Sequence, residues 1–126
     1  MSQLKFDPSS PSIIVTADIQ AVFPTAAKLI LDTGASYVTL SRDMVSAIGL
    51  PIDTDNTIQL TSASTVETTP KIVVPEITVL GKRVKNVEAI IKDLPPQAPA
   101  DGLLGLSFLR HFKLTIDFKK GILELT

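Results

Sequence analysis

The sequence predicts a mainly β domain with one or two short helices. Three observations carry this. Val, Ile, Leu and Thr are abundant while aromatic residues make up only 5% of the chain, a composition that suits short pleated strands. Apolar residues fall in short runs, several of them alternating with polar ones. Nine prolines and six glycines punctuate those runs.

At 126 residues, the chain suits one domain, 1–126, with a real core. Lys plus Arg is 12 and Asp plus Glu is 13, so the formal charge is 12 − 13 = −1. That balance argues against nucleic acid or an anionic membrane as the main partner, although a groove can still carry local charge. With no cysteine, disulfides and thiolate chemistry are excluded. No apolar run approaches the roughly 18 residues of a membrane span. Residues 1–12 lack a basic start followed by an apolar stretch, so they do not read as a secretory signal. The expected setting is the cytoplasm, or a soluble part of a longer membrane-anchored protein.

The elements follow in order. Residues 1–11 read as a polar, flexible arm. A strand over 12–20 places Ile13, Val15, Ala17 and Ile19 on one face. Pro24-Thr25 turns the chain. Residues 26–31 form a second strand, apolar at nearly every position, which predicts burial of both faces. A turn over 32–35 leads into a short strand, 37–40. Ser41 caps a helix that runs to about Ile48; Gly49 ends it and Pro51 prevents its return. Residues 57–60 and 66–80 form a long hairpin with its tip at 61–65, and Pro70 and Pro75 imply an edge, bulge or break in the returning arm. Gly81-Lys82 reads as a tight turn before a strand over 84–91. Residues 94–100, with three prolines, form an extended loop. A buried strand ends at Leu103-Leu104-Gly105, a short helix covers 107–112, and strands 114–118 and 122–125 close a hairpin around Lys119-Lys120-Gly121. Strand, Gly turn and short helix thus occur twice, at 29–48 and at 101–112.

The segment Leu29-Ile30-Leu31-Asp32-Thr33-Gly34-Ala35-Ser36 carries the chemistry. Taken alone, an Asp on a Gly turn is a turn former whose side chain bonds nearby backbone. Three features favour more. The preceding strand is apolar, so the carboxylate emerges from a core. Gly34 and Ala35 leave room for close approach. A second apolar run ending in Gly, Leu103-Leu104-Gly105, is available to pack beside it.

Together these segments resemble the retropepsin-like aspartic proteases, over about 13–125. Residues 29–36 match the family's catalytic loop, and Leu103-Leu104-Gly105 matches its hydrophobic-hydrophobic-Gly element. Leu104-Gly105-Leu106-Ser107-Phe108-Leu109 and the tip Thr61-Ser62-Ala63-Ser64-Thr65-Val66 are more similar to bacterial members than to viral ones.

The resemblance implies a single-lobe acid protease barrel that acts as a homodimer. Asp32 of each subunit would face its mate across a two-fold axis, and two adjacent carboxylates share one proton and titrate as a unit. The ionised member would take a proton from water while the protonated one donates to the peptide carbonyl, with no acyl-enzyme. Thr33 would lock the two loops together, a role that without the dimer reduces to that of a β-compatible turn residue. Gly34 would bring its N–H to the carboxylate. Leu103, Leu104 and Gly105 would support the loop from behind. Ala35 and Ser36, with Ser62, Ala63 and Ser64 of the hairpin tip, are the implied substrate contacts. The hairpin, 57–80, would be a flap over an extended peptide; without the resemblance it reads as an ordinary exposed hairpin. Apolar side chains are expected on both sides of the scissile bond. No metal or organic cofactor is implied. A module of this fold that binds peptides or dimerises, with little activity, is the alternative.

The chain departs from viral members in several places. Ser36 stands where they often carry an acid, and Leu106 where they often carry the Arg that pairs with it. The hairpin tip has no Gly. Many two-lobed relatives place Ser at the position of Ala35, where its hydroxyl can favour the ionised carboxylate; Ala cannot, which predicts a milder pH optimum. Elsewhere, His111 beside Phe108 and Phe112 reads as a satisfied histidine rather than a catalytic one. With one His and no Cys a His-rich metal site is not expected, and no Gly-x-Ser-x-Gly elbow exists. Asp101-Gly102 reads as turn chemistry, and Lys82, Arg83 and Lys85 as a solvated hairpin face.

Overall fold

The computed structural model describes residues 2–61 and 63–126. The strands are β1 (Gln3–Lys5), β2 (Ile14–Gln20), β3 (Thr25–Leu31), β4 (Val38–Leu40), β5 (Thr57–Thr61), β6 (Val66–Val79), β7 (Lys82–Ile91), β8 (Gly102–Leu104), β9 (Leu114–Asp117) and β10 (Ile122–Leu125). The helices are α1 (Arg42–Ala47) and α2 (Leu106–Leu109). The main sheet runs β2-β3-β8-β4-β7-β6-β5, and an additional β2–β6 pairing closes it into a barrel with β5 left outside on β6. The barrel form follows from the pattern: each wall strand has one apolar face, and closure buries all of those faces together while removing sheet edges.

Strand β2 shows the alternation in its simplest form, with Val15, Ala17 and Ile19 buried and Thr16, Asp18 and Gln20 exposed. Strand β3 corrects the expectation of two buried faces. Ala27 and Leu29 are buried, but Ala26 and Lys28 are exposed, because the outer face of a barrel wall meets solvent unless another layer covers it. Thr25 at the start of β3 and Ile30 and Leu31 at its end are covered in part.

Helix α1 starts where Ser41 caps it, its Oγ accepting the Met44 N–H at 3.1 Å. It buries Met44 and Val45 and stops at Ile48, with Gly49 at φ 77°. Helix α2 is shorter than expected, ending at Leu109 rather than 112, and it places Phe108 and Leu109 in the core.

The long arm β6 runs through both prolines without losing register. Its ladder to β5 ends at Thr57↔Pro70, and its ladder to β2 begins at Gln20↔Glu76. The prolines therefore bracket the stretch where β6 changes neighbours on that side. On the other side, the β6–β7 ladder passes from Val74↔Val87 to Glu76↔Lys85, and Pro75 faces Asn86, whose φ is 56°. Pro has no N–H to give, and Asn tolerates the left-handed backbone. The turn that follows is Leu80-Gly81, both at positive φ, with Val79 paired to Lys82. The tight turn thus lies one residue earlier than the expected Gly81-Lys82, because a two-residue turn with two positive φ values matches the twist of the flanking strands.

A second sheet, β1-β10-β9, packs on the barrel. Its inward residues Leu123 and Leu125 join the core, with Leu4, Phe6, Leu114 and Ile116 against them. Within the expected arm, residues 3–5 pair antiparallel with β10 through Gln3↔Glu124, Leu4↔Leu123 and Lys5↔Ile122. Among the described residues no helix is long and apolar enough to cross a membrane.

Strand β8 lies between β3 and β4, parallel to one and antiparallel to the other. Gly102 makes this possible, since a Cβ there would lie 1.8 Å from the Thr39 carbonyl oxygen. Replacing Gly102 with Ala is expected to destabilise the fold by at least about 3 kcal/mol. Urea unfolding measures it, and a loss under about 1 kcal/mol would mean that this close approach does not exist in solution.

Candidate active site

Strand β3 ends half-buried against the core and leads to Asp32, which is half-buried too. The loop it enters is held by backbone. Asp32 N–H donates to Leu104 O at 3.1 Å, and Ala35 N–H donates to Asp32 O at 3.2 Å. The carboxylate takes the Gly34 N–H on Oδ1 at 2.9 Å, and a Cβ at Gly34 would sit 3.2 Å from that oxygen. Side chain and loop therefore hold each other in one arrangement.

The chain after β8 clamps the far side of the loop. Leu106 N–H donates to Ala35 O at 2.8 Å, and Ser107 N–H to Ser36 O at 3.0 Å. Gly105 is buried between them; a Cβ there would lie 2.3 Å from Tyr37 O and 2.7 Å from Ala35 O. Ser107 does more than begin a helix. Its Oγ donates to Glu88 O at 2.7 Å and accepts the Val38 N–H at 2.8 Å, which ties α2 to β7 and to the start of β4.

A groove of about 650 Å³ opens beside this loop. Ala35 and Ser36 lie on one side of it, and Leu103 lines it as well as bracing the loop. Leu60 and Thr61 of β5 reach it from the hairpin. Lys92–Pro95 form a further wall, of which the sequence reading covered only Leu94 and Pro95, as the start of the proline loop. Tyr37 also lines it. A strand end followed by a proline-stiffened loop is the signal that could have pointed to this wall.

The expected site residues divide accordingly. Asp32, Gly34, Ala35, Ser36, Leu103, Leu104 and Gly105 converge on one loop and its support. Thr33 is exposed and turns to a second, smaller groove of about 270 Å³, where Ile13, Ile30, Leu31, Ile116 and Phe118 also lie. Ala63 and Ser64 are exposed at the hairpin tip and are not part of the larger groove's lining. Ser62 lies outside the described residues. His111 Nδ1 meets Phe108 O at 3.1 Å, with the ring close to Phe112, which fits a satisfied histidine. Asp101 has a larger part than turn chemistry: Oδ2 accepts the Lys28 N–H at 3.0 Å, its own N–H donates to Lys28 O, and its carbonyl accepts the Ser41 N–H.

The model of a family described as aspartyl protease matches residues 15–108. Among solved structures, the crystal structure of a retropepsin-like aspartic protease from Rickettsia conorii is similar, with a TM-score of 0.70 at 22% identity. The match covers 98% of this chain and 87% of that one. The fold is therefore retropepsin-like. No curated protein matches the chain.

Ser107→Ala removes a donor and an acceptor together. It is expected to cost about 1–3 kcal/mol of stability, because Glu88 O and the Val38 N–H lose their partner. Urea unfolding beside wild type checks this, and an unchanged midpoint would show that the Ser107 link carries no stability.

Proposed function

This chain belongs to the aspartyl protease family, and from that premise we propose that it is an aspartic endopeptidase working as a homodimer. The observation that carries the reading is a single Asp-Thr-Gly segment whose carboxylate is fixed by its own loop, with the next loop residues, Gly34, Ala35 and Ser36, lining a peptide-sized groove. The chemistry needs a general base and a general acid at once. One Asp32 supplies one carboxylate, so a second copy of the chain supplies the other.

The two carboxylates hold one proton between them. The ionised one removes a proton from water, and the water oxygen bonds to the peptide carbonyl carbon. The protonated one gives its proton to the carbonyl oxygen. The resulting diol collapses as the amide nitrogen takes a proton and the C–N bond breaks. Gly34 N–H, already on Oδ1, keeps the carboxylate aimed through these steps. Thr33 links the paired loops across the axis. Leu103, Leu104 and Gly105 brace them. Ala35, Ser36 and the tip residues Ser62, Ala63 and Ser64 contact an extended peptide under the hairpin. The apolar lining by Leu60, Ile90, Leu94 and Leu103 favours an uncharged side chain beside the scissile bond.

A second reading has one observation in its favour. The terminal sheet is complete within one chain, β1 on its own β10, so the lobe needs no strand from a partner to close it. A stable monomer that binds peptides without cleaving them would fit that reading.

Peptide-library cleavage from pH 4 to 8, with oligomeric state recorded in the same buffers, tests the proposal. Asp32→Asn is expected to lower kcat/KM by at least about 10²–10⁴-fold with dimerisation retained. Cleavage that persists in the variant would overturn the role given to Asp32, and no cleavage from a stable monomer would move the assignment to the binding module. Ala35→Ser is expected to shift the acid limb of the pH–rate profile to lower pH, since an added hydroxyl donor favours the ionised carboxylate. An unchanged or higher limb would count against the role given to Ala35.

A further inference from the structure

The charged residues in the lining of the larger groove are Lys92 and Asp93. Both are engaged by protein. Asp93 Oδ1 accepts the Arg42 N–H at 3.0 Å, at the start of α1. Lys92 Nζ meets Glu67 Oε1 at 3.0 Å. Glu67 belongs to the hairpin, directly across from Leu60 in the β5–β6 ladder. Residues paired across antiparallel strands share a face, and Leu60 lines the groove, so Glu67 stands on the groove side of the hairpin. The ion pair therefore joins the hairpin to the segment that continues β7 along the groove. The wall itself is fixed, since Lys92 N–H donates to Leu40 O at 3.0 Å.

The remaining lining is mostly apolar. An unpaired ammonium in that wall would attract a carboxylate and penalise an aliphatic chain that strips its water. Paired to Glu67, it does neither. Resting on the protease reading above, we propose that Glu67 is a specificity-determining residue: by neutralising Lys92 it excludes acidic side chains from the groove and reserves it for uncharged ones. Glu67 acts through Lys92 and is a positioning residue, not a catalytic one. Asp93 adds one negative charge to the same wall and works in the same direction.

The pair is partly exposed, with 48% of the Lys92 side chain and 43% of the Glu67 side chain accessible. Its influence is therefore moderate and salt-dependent.

The test uses extended hexapeptides in which each position in turn is Leu, Gln, Glu or Lys. Binding is read by fluorescence anisotropy in the Asp32→Asn background, and cleavage in the active protein. Glu67→Gln is expected to raise the Glu-over-Leu preference at one position by roughly fivefold. Lys92→Glu is expected to turn that position toward Lys. The double variant Glu67→Gln/Lys92→Gln keeps the net charge of the wall and is expected to return the preference to that of wild type. The single-variant shifts shrink in high salt. Unchanged preferences in both single variants overturn the proposal. So does an equal loss across all peptides, which marks a structural role, and so does the absence of any peptide binding. If binding preferences shift as expected while wild type cleaves nothing, the proposal stands and the protease reading falls.

Discussion

The chain from Gly102 to Ser107 passes through the loop that carries Asp32, and the site exists because it can. Two close approaches permit the passage: Gly102 against the Thr39 carbonyl and Gly105 against the carbonyls of Ala35 and Tyr37. With side chains at either position β8 could not lie between β3 and β4 at this depth. The Asp32 loop would then lose its hydrogen bonds to Leu104, Leu106 and Ser107 together. Each buried backbone group left without a partner costs on the order of 1–3 kcal/mol, so the loop has one good arrangement rather than several.

Floor and hairpin side of the groove are held by different forces. The floor is fixed by backbone hydrogen bonds and by Ser107, which joins α2, β4 and β7 through one hydroxyl. The hairpin reaches the groove through Leu60 and Thr61. At its base, buried Thr69 donates to Ile91 O at 2.5 Å. Farther out, the link to the segment beyond β7 is the Lys92–Glu67 ion pair, which solvent screens.

Much of this was legible in the residues. The alternation of Val15, Ala17 and Ile19, the cap at Ser41 with its stop at Gly49, and the two arms of the hairpin are local patterns, and they form where the pattern puts them. Asp32 and its support were legible because small and apolar residues recur at both segments. What escaped depends on partners far away in sequence. Gln3–Lys5 has little apolar content and becomes a strand only because β10 offers an edge. Asp101 reads as a turn residue, yet its carboxylate and backbone fasten Lys28 and Ser41. Lys92 and Asp93 fall between the expected strand and the proline loop, and become part of a wall because Leu40 and Arg42 hold them beside the groove. The exposed outer face of β3 was missed because hydrophobicity alone does not say which face of a wall another layer will cover.

The threading of β8 also sets an order of assembly. Lys28 and Asp101, which flank the β3–β8 pairing, are separated by 73 positions in the chain, and pairing over such a span is slow because the intervening segment must first give up its freedom. On a ribosome the Asp32 loop has been made long before its brace. Its geometry must wait until Gly105 and Ser107 emerge, when most of the barrel wall is already present. In a nascent chain the Asp32 loop therefore stays without its brace until the segment 102–107 has been made and can pair with it.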